Sequence, residues 1–393
     1  MSAAAEAPRL DAKGAGALSA FLAEAVSRGD VPGVVTLVVT PDRVLYHEAF
    51  GTMNAAQAVP MRKDAIFRIA SMTKAVTSVA VMMLVEEGKL GLDDEVSKYL
   101  PAFKSREVLS RVDLAAGTYE TRRATRPITI RQLLTHTSGI GYAWSDPGLA
   151  LVQKLTGKSS EVDLPLVHEP GEKWTYGANT KVLGDVVATL SGQALDAFLE
   201  SRIFGPLGMA DTGHTVPEAK HNRVVTTHRK KDGRITETPN PKTLAAPVRG
   251  DGGLFSTAVD YGRFVQMILN GGQLGNVRLL KTETVREMGR NHTGNVKVRL
   301  QPVVNTEQSK PYPLGVGEDV WGLGFQLAAP AKPDPSLRRP GSMSWAGINN
   351  TFYWIDPEAQ IGVIVLMQML PFYDEAALSV LRGVESRVYP HLH

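Results

Sequence analysis

The sequence contains no cysteine among its 393 residues. Disulfides, thiolate nucleophiles and cysteine-ligated zinc are therefore excluded. Long apolar runs are missing as well, because no stretch approaches the roughly eighteen unbroken apolar residues of a membrane-spanning helix. We therefore expect no membrane span. The N-terminus carries Glu6 and Asp11 and lacks the basic-then-apolar pattern of a signal peptide, which favours a cytoplasmic location.

A strong excess of charge of one sign is also missing. The 43 Lys and Arg residues nearly balance 40 Asp and Glu residues, for a net charge of +3, so we expect no nucleic-acid partner. The basic stretch HRKKDGR, residues 228–234, contains Asp232-Gly233, a dipeptide typical of hairpin turns. It is predicted to be a solvated hairpin tip. No His-Glu-x-x-His motif occurs, so neither a metal nor another cofactor is implied.

The composition that remains, 43% apolar and 21% charged, is typical of a globular protein large enough for two structural domains. Strand patterns lie near both ends, in GVVTLVVTPDRVLYHEAFG (33–51) and in three late segments, of which SMSWAGINNTFYWIDP and QIGVIVLMQM predict a hairpin. An opening helix is predicted over Leu18–Val26 and a closing helix over about Asp374–Val388. The middle is helical and loop-rich. We predict an α/β domain of residues 1–80 and 188–393, interrupted by a mostly helical domain of residues 81–187.

The segment FRIASMTKAVTSVAVMMLVEEGKL, residues 67–90, predicts a buried helix ending near Gly88, with Ser71 and Lys74 in its first turn. Three residues apart, these two side chains share one helix face. Each has an ordinary structural explanation, since a serine can cap a helix and a lysine can extend to water. Their position at the start of the most apolar helix nevertheless favours a chemical role, because a lysine is costly there unless it is used.

That chemical role is acyl transfer. A serine hydroxyl is a poor nucleophile until a base removes its proton. A lysine can serve as that base where burial or nearby charge favours its neutral form. The free N–H groups at a helix N-terminus stabilise a developing oxyanion, and the N–H of Ser71 is predicted to be one such donor.

Six pieces of sequence, the Ser71–Lys74 motif among them, support this interpretation. SMTK (71–74) resembles the nucleophile motif of the serine β-lactamase and penicillin-binding protein superfamily. LLTHTSGI (133–140), PGEKWTYGANTKVLG (170–184), PLGM (206–209) and GGLFSTAVDYGRF (252–264) follow in the same order as in class C β-lactamase-like sequences. SWAG (344–347) falls where that superfamily has Lys-Thr-Gly, and its tryptophan resembles family VIII carboxylesterases, which carry Trp-Gly-Gly. Over about residues 15–390, the resemblance implies an α/β, serine β-lactamase-like fold: an antiparallel sheet flanked by helices, with an inserted mostly helical domain.

The resemblance also implies roles for particular residues. Tyr176 would reach Ser71 and Lys74 and transfer protons with them. His136 belongs to the structural HTSG turn rather than to a Ser-His pair. Class C enzymes have Tyr-x-Asn where this chain has Tyr176-Gly177-Ala178, with Asn179 one place late. The amide that β-lactam side chains use is therefore missing from its usual place.

The substrate site is expected to involve residues around the SWAG motif. Gly347 would let the chain pass close enough for the N–H of Ile348 to become the second oxyanion donor beside that of Ser71. The residues expected to line the substrate are Trp345, Ala346, Gly347 and Tyr142. For Tyr142 a plain packing role is an equal alternative.

Together these features predict a serine carboxylesterase that hydrolyses small esters with short acyl chains through a Ser71 acyl-enzyme. The partner is thus a small-molecule ester. A β-lactamase, a D-alanyl-D-alanine peptidase or an acyltransferase could use the same machinery. A non-catalytic binding protein on this fold is the alternative of another class. The sequence lacks Gly-x-Ser-x-Gly, which argues against an α/β-hydrolase triad.

Overall fold

The protein is described here by a computed structural model covering residues 8–329, 334 and 336–393. Its strands, in chain order, are β1 (Gly33–Val39), β2 (Val44–Asn54), β3 (Val59–Pro60), β4 (Phe67–Arg68), β5 (Glu107–Asp113), β6 (Thr118–Arg123), β7 (Thr227–Lys231), β8 (Arg234–Thr238), β9 (Phe255–Ser256), β10 (Gln273–Leu274), β11 (Val277–Arg278), β12 (Val320–Trp321), β13 (Gln326–Leu327), β14 (Met343–Gly347), β15 (Thr351–Asp356), β16 (Ile361–Leu366) and β17 (Met369–Leu370).

The α-helices are α1 (Ala12–Ser27), α2 (Thr73–Glu86), α3 (Ile130–Leu134), α4 (Pro147–Thr156), α5 (Asn179–Ser191), α6 (Leu195–Leu199), α7 (Gly205–Leu207), α8 (Ala258–Leu269), α9 (Thr282–Met288) and α10 (Glu375–Val388). A 3₁₀ turn, Ala70–Met72, leads directly into α2. Among the described residues no single helix has the length and apolar character to cross a membrane. The helical segments Asn179–Ser191 and Leu195–Leu207 have that length and apolar character only when they are taken together, and they are bent by 79° relative to each other.

The centre of the fold is an eight-stranded antiparallel sheet in the order β12-β13-β14-β15-β16-β1-β2-β3. β1, β15 and β16 are buried along their whole length, as expected for strands covered on both faces. The helix α8 packs on β1 and β16. It lies close to the sheet because Gly262 faces Leu37, and a Cβ at Gly262 would come within 2.5 Å of that side chain.

The opposite face of the sheet is covered by α1 and α10, which pack against each other. Trp354 of β15 points to this side, where its indole N–H donates to the hydroxyl of Tyr389 just beyond α10. Because side chains alternate along a strand, neighbouring Tyr353 and its cross-strand partner Trp345 point toward α8 instead. The α8 face is also the face on which the Ala70–Met72 turn contacts β14 and β15.

Most predicted elements are confirmed. β1 and β2 flank Pro41-Asp42, β15 and β16 form the predicted hairpin, and α10 ends the chain where a helix was predicted. The stretch 228–234 is a hairpin, with Asp232 at φ 49° and Gly233 at φ 75° in its turn. The structure differs at Ser71, which lies in the 3₁₀ turn before α2 rather than in the helix itself.

Two other predictions need correction. The opening helix α1 begins six residues before Leu18, because the Asp11 side chain caps it by accepting from the N–H of Gly14 at 2.6 Å. The middle of the chain contains an unpredicted antiparallel hairpin, β5–β6, with Gly117 at φ 66° in its turn. The division into two domains at residues 80 and 187 stays a prediction.

Candidate active site

The Ser71 segment is held in an uncommon backbone conformation. Ala70, the residue before it, has φ 46°, a left-handed conformation that costs free energy in a residue other than glycine. Hydrogen bonds on both sides hold it there. The N–H of Ile69 donates to the carbonyl of Leu254, and the hydroxyl of Thr73 donates to the carbonyl of Ala70 at 2.6 Å. The nucleophile candidate therefore sits on a fixed, strained turn.

Ser71, Lys74 and Tyr176 come together as predicted. The Tyr176 hydroxyl donates to Ser71 Oγ at 2.7 Å, and Lys74 Nζ donates to the same oxygen at 3.2 Å. Lys74 is 1% exposed. Its other two acceptors are the carbonyl oxygen of Asp251 at 2.8 Å and the Tyr142 hydroxyl at 3.3 Å. Three oxygen atoms therefore surround the buried Lys74 Nζ within hydrogen-bond distance.

A second layer of charge lies behind Lys74 and was not predicted. The Tyr142 hydroxyl donates to Asp251 Oδ2 at 2.6 Å, and Arg249 donates to both oxygens of the same carboxylate at 2.8 and 2.9 Å. Burial alone would raise the pKa of Asp251, but the Arg249 hydrogen bonds and the Lys74 charge lower it to about 2. Burial and the Asp251 charge raise the pKa of Tyr142 well above its usual range. Tyr142 therefore stays protonated and remains a donor to Asp251.

Tyr142 was predicted either to line the substrate or only to pack, and the structure gives it a further set of contacts. It lines the cleft and also links Lys74 to Asp251. A sequence signal for this layer exists in the triplet Arg249-Gly250-Asp251, which places two charges a few residues before the buried strand β9.

The end of β14 lies against the nucleophile turn. A Cβ at Gly347 would come within 2.3 Å of the carbonyl oxygen of Ile69, so only glycine allows this approach. The contact is fixed by Asn349 Nδ2, which donates to the carbonyl of Arg68 at 3.2 Å. As a result Ile348 and Ser71 line the same cleft, which has a volume of about 270 Å³.

Trp345 lies beside the catalytic candidates, whereas Ala346 does not. The Trp345 ring centroid is 4.9 Å from that of Tyr176, and its indole N–H donates to the Tyr176 hydroxyl at 3.4 Å. Ala346 is the next residue on β14, so its side chain points to the opposite face of the sheet, the face of its cross-strand partner Phe352. Ala346 can therefore approach a substrate through its backbone, and its contact with the substrate stays a prediction.

The HTSG turn forms its own network. His136 is 1% exposed and bonds Asn179 Nδ2 at 2.9 Å through its Nδ1. Asn179 also accepts from the hydroxyl of Ser138. Burial lowers the pKa of His136 well below its usual value, so the ring is neutral. Asn179, which lies one position later than the asparagine of class C enzymes, therefore stabilises this turn. Across residues 8–329, 334 and 336–393, no group of three His, Asp or Glu side chains could hold a metal ion.

A serine held between a buried lysine and a tyrosine, beside strand β14 of an antiparallel sheet, defines a serine acyl-transfer site. The Beta-lactamase family model matches residues 18–382, and the chain belongs to the Beta-lactamase family. Its antiparallel sheet flanked by helices confirms the predicted β-lactamase-like fold.

Similar proteins include Protein Rv1367c of Mycobacterium tuberculosis, 35% identical over 93% of this chain and 92% of its own length. Esterase EstB of Burkholderia gladioli is 30% identical over 89% of each chain. A solved structure of simvastatin synthase from Aspergillus terreus (LovD6 mutant) matches with a TM-score of 0.83, 26% identity and coverage of 96% and 95%. The chain is thus placed among the serine hydrolases and acyltransferases of the β-lactamase superfamily.

Proposed function

We propose that this protein is a serine carboxylesterase of the family VIII type, acting on small esters with short acyl chains. One observation carries the proposal: Ser71 Oγ lies within hydrogen-bond distance of both Tyr176 and Lys74. The similarity to a protein named an esterase supports it. So does the tryptophan at position 345, where β-lactam-specific relatives have lysine.

The reaction follows from the contacts. With one proton absent from the Tyr176–Lys74 pair, Ser71 Oγ forms a bond to the acyl carbon, its own proton passes to that pair, and the C=O π electrons become an oxyanion. The N–H groups of Ser71 and Ile348 stabilise the oxyanion. The ester C–O bond then breaks, and the leaving alkoxide takes its proton from Tyr176. Water adds to the acyl-enzyme by the same route in reverse, which releases the acid and restores the Ser71 hydroxyl.

The cleft favours neutral esters over β-lactams for a reason of charge. β-Lactam antibiotics carry a carboxylate beside the ring, and an indole offers it one N–H donor and no charge. A hydrogen bond to a charged group is worth about 1.5–3 kcal/mol, or roughly ten- to 150-fold. The amide of Asn179 gives no compensation, because it is 0% exposed and bonded to His136.

The nucleophile is tested by covalent labelling. A fluorophosphonate should form one adduct per chain, on the peptide that contains Ser71. Ser71→Ala should take up none, while Ser78→Ala should label normally, because the Ser78 hydroxyl only bonds the carbonyl of Lys74 within α2. An adduct on any other serine would contradict the proposal.

The substrate class is tested by comparing p-nitrophenyl butyrate with a chromogenic cephalosporin. We expect kcat/KM for the ester to be higher by at least about 10². Trp345→Lys should lower this ratio of kcat/KM values, because it adds a cation that can pair with the β-lactam carboxylate. Trp345→Phe, the uncharged control, should leave the ratio unchanged. Equal wild-type rates on both substrates would show that the proposed substrate class is wrong.

Acyl transfer to an alcohol is a second candidate function. The observation that favours it is the match to a synthase structure over 96% of this chain. The two functions differ in whether water or an alcohol attacks the acyl-enzyme. Adding increasing ethanol to p-nitrophenyl butyrate and measuring butyric acid against ethyl butyrate separates them. A purely hydrolytic enzyme forms only butyric acid, and no ethyl butyrate, at every ethanol concentration.

A further inference from the structure

A small slot of about 20 Å³ opens beside the Ser71 cleft. The slot and the cleft share three lining residues, Trp144, Tyr176 and Phe372. The rings of Tyr312, Trp345 and Tyr373 line the slot further on. A cavity needs roughly 10–15 Å³ to hold one water molecule, so the slot has room for a single small group such as a hydroxyl.

Tyr373, one of the residues that line this slot, has a hydroxyl without a hydrogen-bond partner among the described residues. Tyr373 is 3% exposed, and within the described part of the chain no atom hydrogen-bonds its hydroxyl. A buried hydroxyl without a partner is destabilising, and such groups are rare in native proteins. Burial and the neighbouring Tyr312 and Tyr176 raise the pKa of Tyr373 well above its usual value, so the group is a phenol and can donate.

The Tyr373 ring is nevertheless firmly held. Its backbone has φ 58°, an unfavourable conformation for a bulky aromatic residue. Asn350 stabilises it by accepting from the N–H of Tyr373 at 2.9 Å and donating to the carbonyls of Met369 and Pro371, both at 2.8 Å. The ring stacks on Phe372 with centroids 3.6 Å apart. A strained, fixed residue with an unused donor is typical of a ligand-binding position.

We propose that the Tyr373 hydroxyl binds a second oxygen on the alcohol part of the substrate, so that the preferred esters are those of short alcohols carrying a hydroxyl next to the ester, such as monoesters of 1,2-diols. The inference rests on the proposed function in one respect. If Tyr176 gives its proton to the leaving alkoxide, the alcohol lies beside Tyr176, where the slot begins. A hydroxyl two carbons from the ester oxygen then enters the slot.

The test compares 2-hydroxyethyl butyrate with propyl butyrate. These esters have the same number of heavy atoms and differ only in a terminal hydroxyl or methyl group. After division by their alkaline hydrolysis rates, wild-type kcat/KM should favour the hydroxyethyl ester by about three- to tenfold, the worth of one neutral hydrogen bond. In Tyr373→Phe this ratio should fall to about one. The melting temperature should not fall, because no protein hydrogen bond is lost.

Tyr312→Phe is the matched control, since Tyr312 lines the same slot but its hydroxyl already donates to Gln326. It should keep the wild-type ester ratio and lose stability. A wild-type ratio of one or below overturns the inference whether or not Tyr373→Phe folds, and so does an unchanged ratio in Tyr373→Phe. If Ser71 is not labelled and neither ester is hydrolysed, the proposed function itself fails.

Discussion

Lys74 and Tyr176 share one hydrogen-bond acceptor, Ser71 Oγ, and Lys74 Nζ also lies 4.7 Å from the centre of the Tyr176 ring. Both groups therefore act on the same serine oxygen, and we expect them to work in proton transfer as one unit. A change to either side chain removes the function of both.

We predict that Lys74→Ala and Tyr176→Phe each lower kcat by roughly 10² to 10⁴, the usual contribution of positioned proton transfer. The double variant should be little worse than either single one, because groups that act as a unit are not additive. Steady-state kinetics on p-nitrophenyl butyrate measure all three. Tyr46→Phe, whose hydroxyl bonds Ser19, is the control and should keep kcat. Near wild-type kcat in Tyr176→Phe would mean that the tyrosine only packs.

Asp251 links stability to pH. Its folded-state pKa of about 2 lies below the ordinary value of 3.8, so its ionised form is favoured by folding. That stability is fully present above about pH 4 and is lost as pH falls toward 2. At about 1.4 kcal/mol per pKa unit, the contribution is about 2 kcal/mol at neutral pH.

Asp251→Asn should therefore lower the free energy of unfolding by about 2 kcal/mol at pH 7. The difference from the wild type should shrink below pH 4. Urea denaturation at pH 7, 5 and 3.5 measures both effects. Asp93→Asn is the control, because Asp93 pairs with Arg131 while 74% exposed, and an exposed pair contributes little. A pH-independent loss in Asp251→Asn would refute the charge explanation.

Sequence patterns identified the residues of the first layer but not those of the second. Ser71 and Lys74 form a local motif at fixed helical spacing, and Tyr176 follows from a family resemblance. Arg249 and Asp251 have no such spacing relation to Lys74. They meet it only because the loop before β9 folds over α2, so the local triplet Arg249-Gly250-Asp251 marks two charges but not their contact with Lys74.

The end of β14 and the nucleophile turn form the closest contact between elements at the site. Gly347→Ala would place a Cβ 2.3 Å from both the Ile69 carbonyl oxygen and Thr351 Oγ1. Relief requires β14 to move away from the turn, which would carry Ile348 away from Ser71.

We predict that Gly347→Ala lowers kcat by about 10² or more, the loss typical of one oxyanion donor, and costs about 1–3 kcal/mol from overpacking. Kinetics and urea denaturation measure the two effects. Gly16→Ala is the matched control: Gly16 lies on the exposed side of α1, a Cβ there meets no atom within 4 Å, and alanine suits a helix better. Wild-type kcat in Gly347→Ala would show that the close approach is not needed for catalysis.

Elements with a buried face were predictable, and solvated ones were not. β15 and β16 are wholly buried and mostly apolar, so their sequence alone indicates strands. β5 and β6 are mostly exposed and carry charged residues with little alternation. Their pairing depends on the turn at Gly117 and on cross-strand contacts, which hydrophobic periodicity does not report.

At the scale of the whole molecule, the site exists only when distant segments meet. Ser71, Tyr142, Tyr176, Asp251 and Ile348 line one cleft, yet 277 positions separate the first from the last. The 3₁₀ turn contacts β14 and β15 of the central sheet, and α2 packs on α5, which begins just after Tyr176. Opening either contact should therefore disable the nucleophile.

We predict that fluorophosphonate labelling of Ser71 is lost in the same urea range in which the far-ultraviolet circular dichroism signal is lost. The physical reason is that Ser71 is reactive only while Tyr176 and Lys74 contact its hydroxyl. These contacts require both the packing of the 3₁₀ turn on β14 and β15 and the packing of α2 on α5. Short labelling pulses at each urea concentration, followed by intact-mass measurement, give the labelled fraction. Tyr373→Phe, with its core hydrogen bonds intact, should show the same coincidence. Labelling that disappears well before the circular dichroism signal would instead mean that the helical segment separates from the sheet in a step of its own.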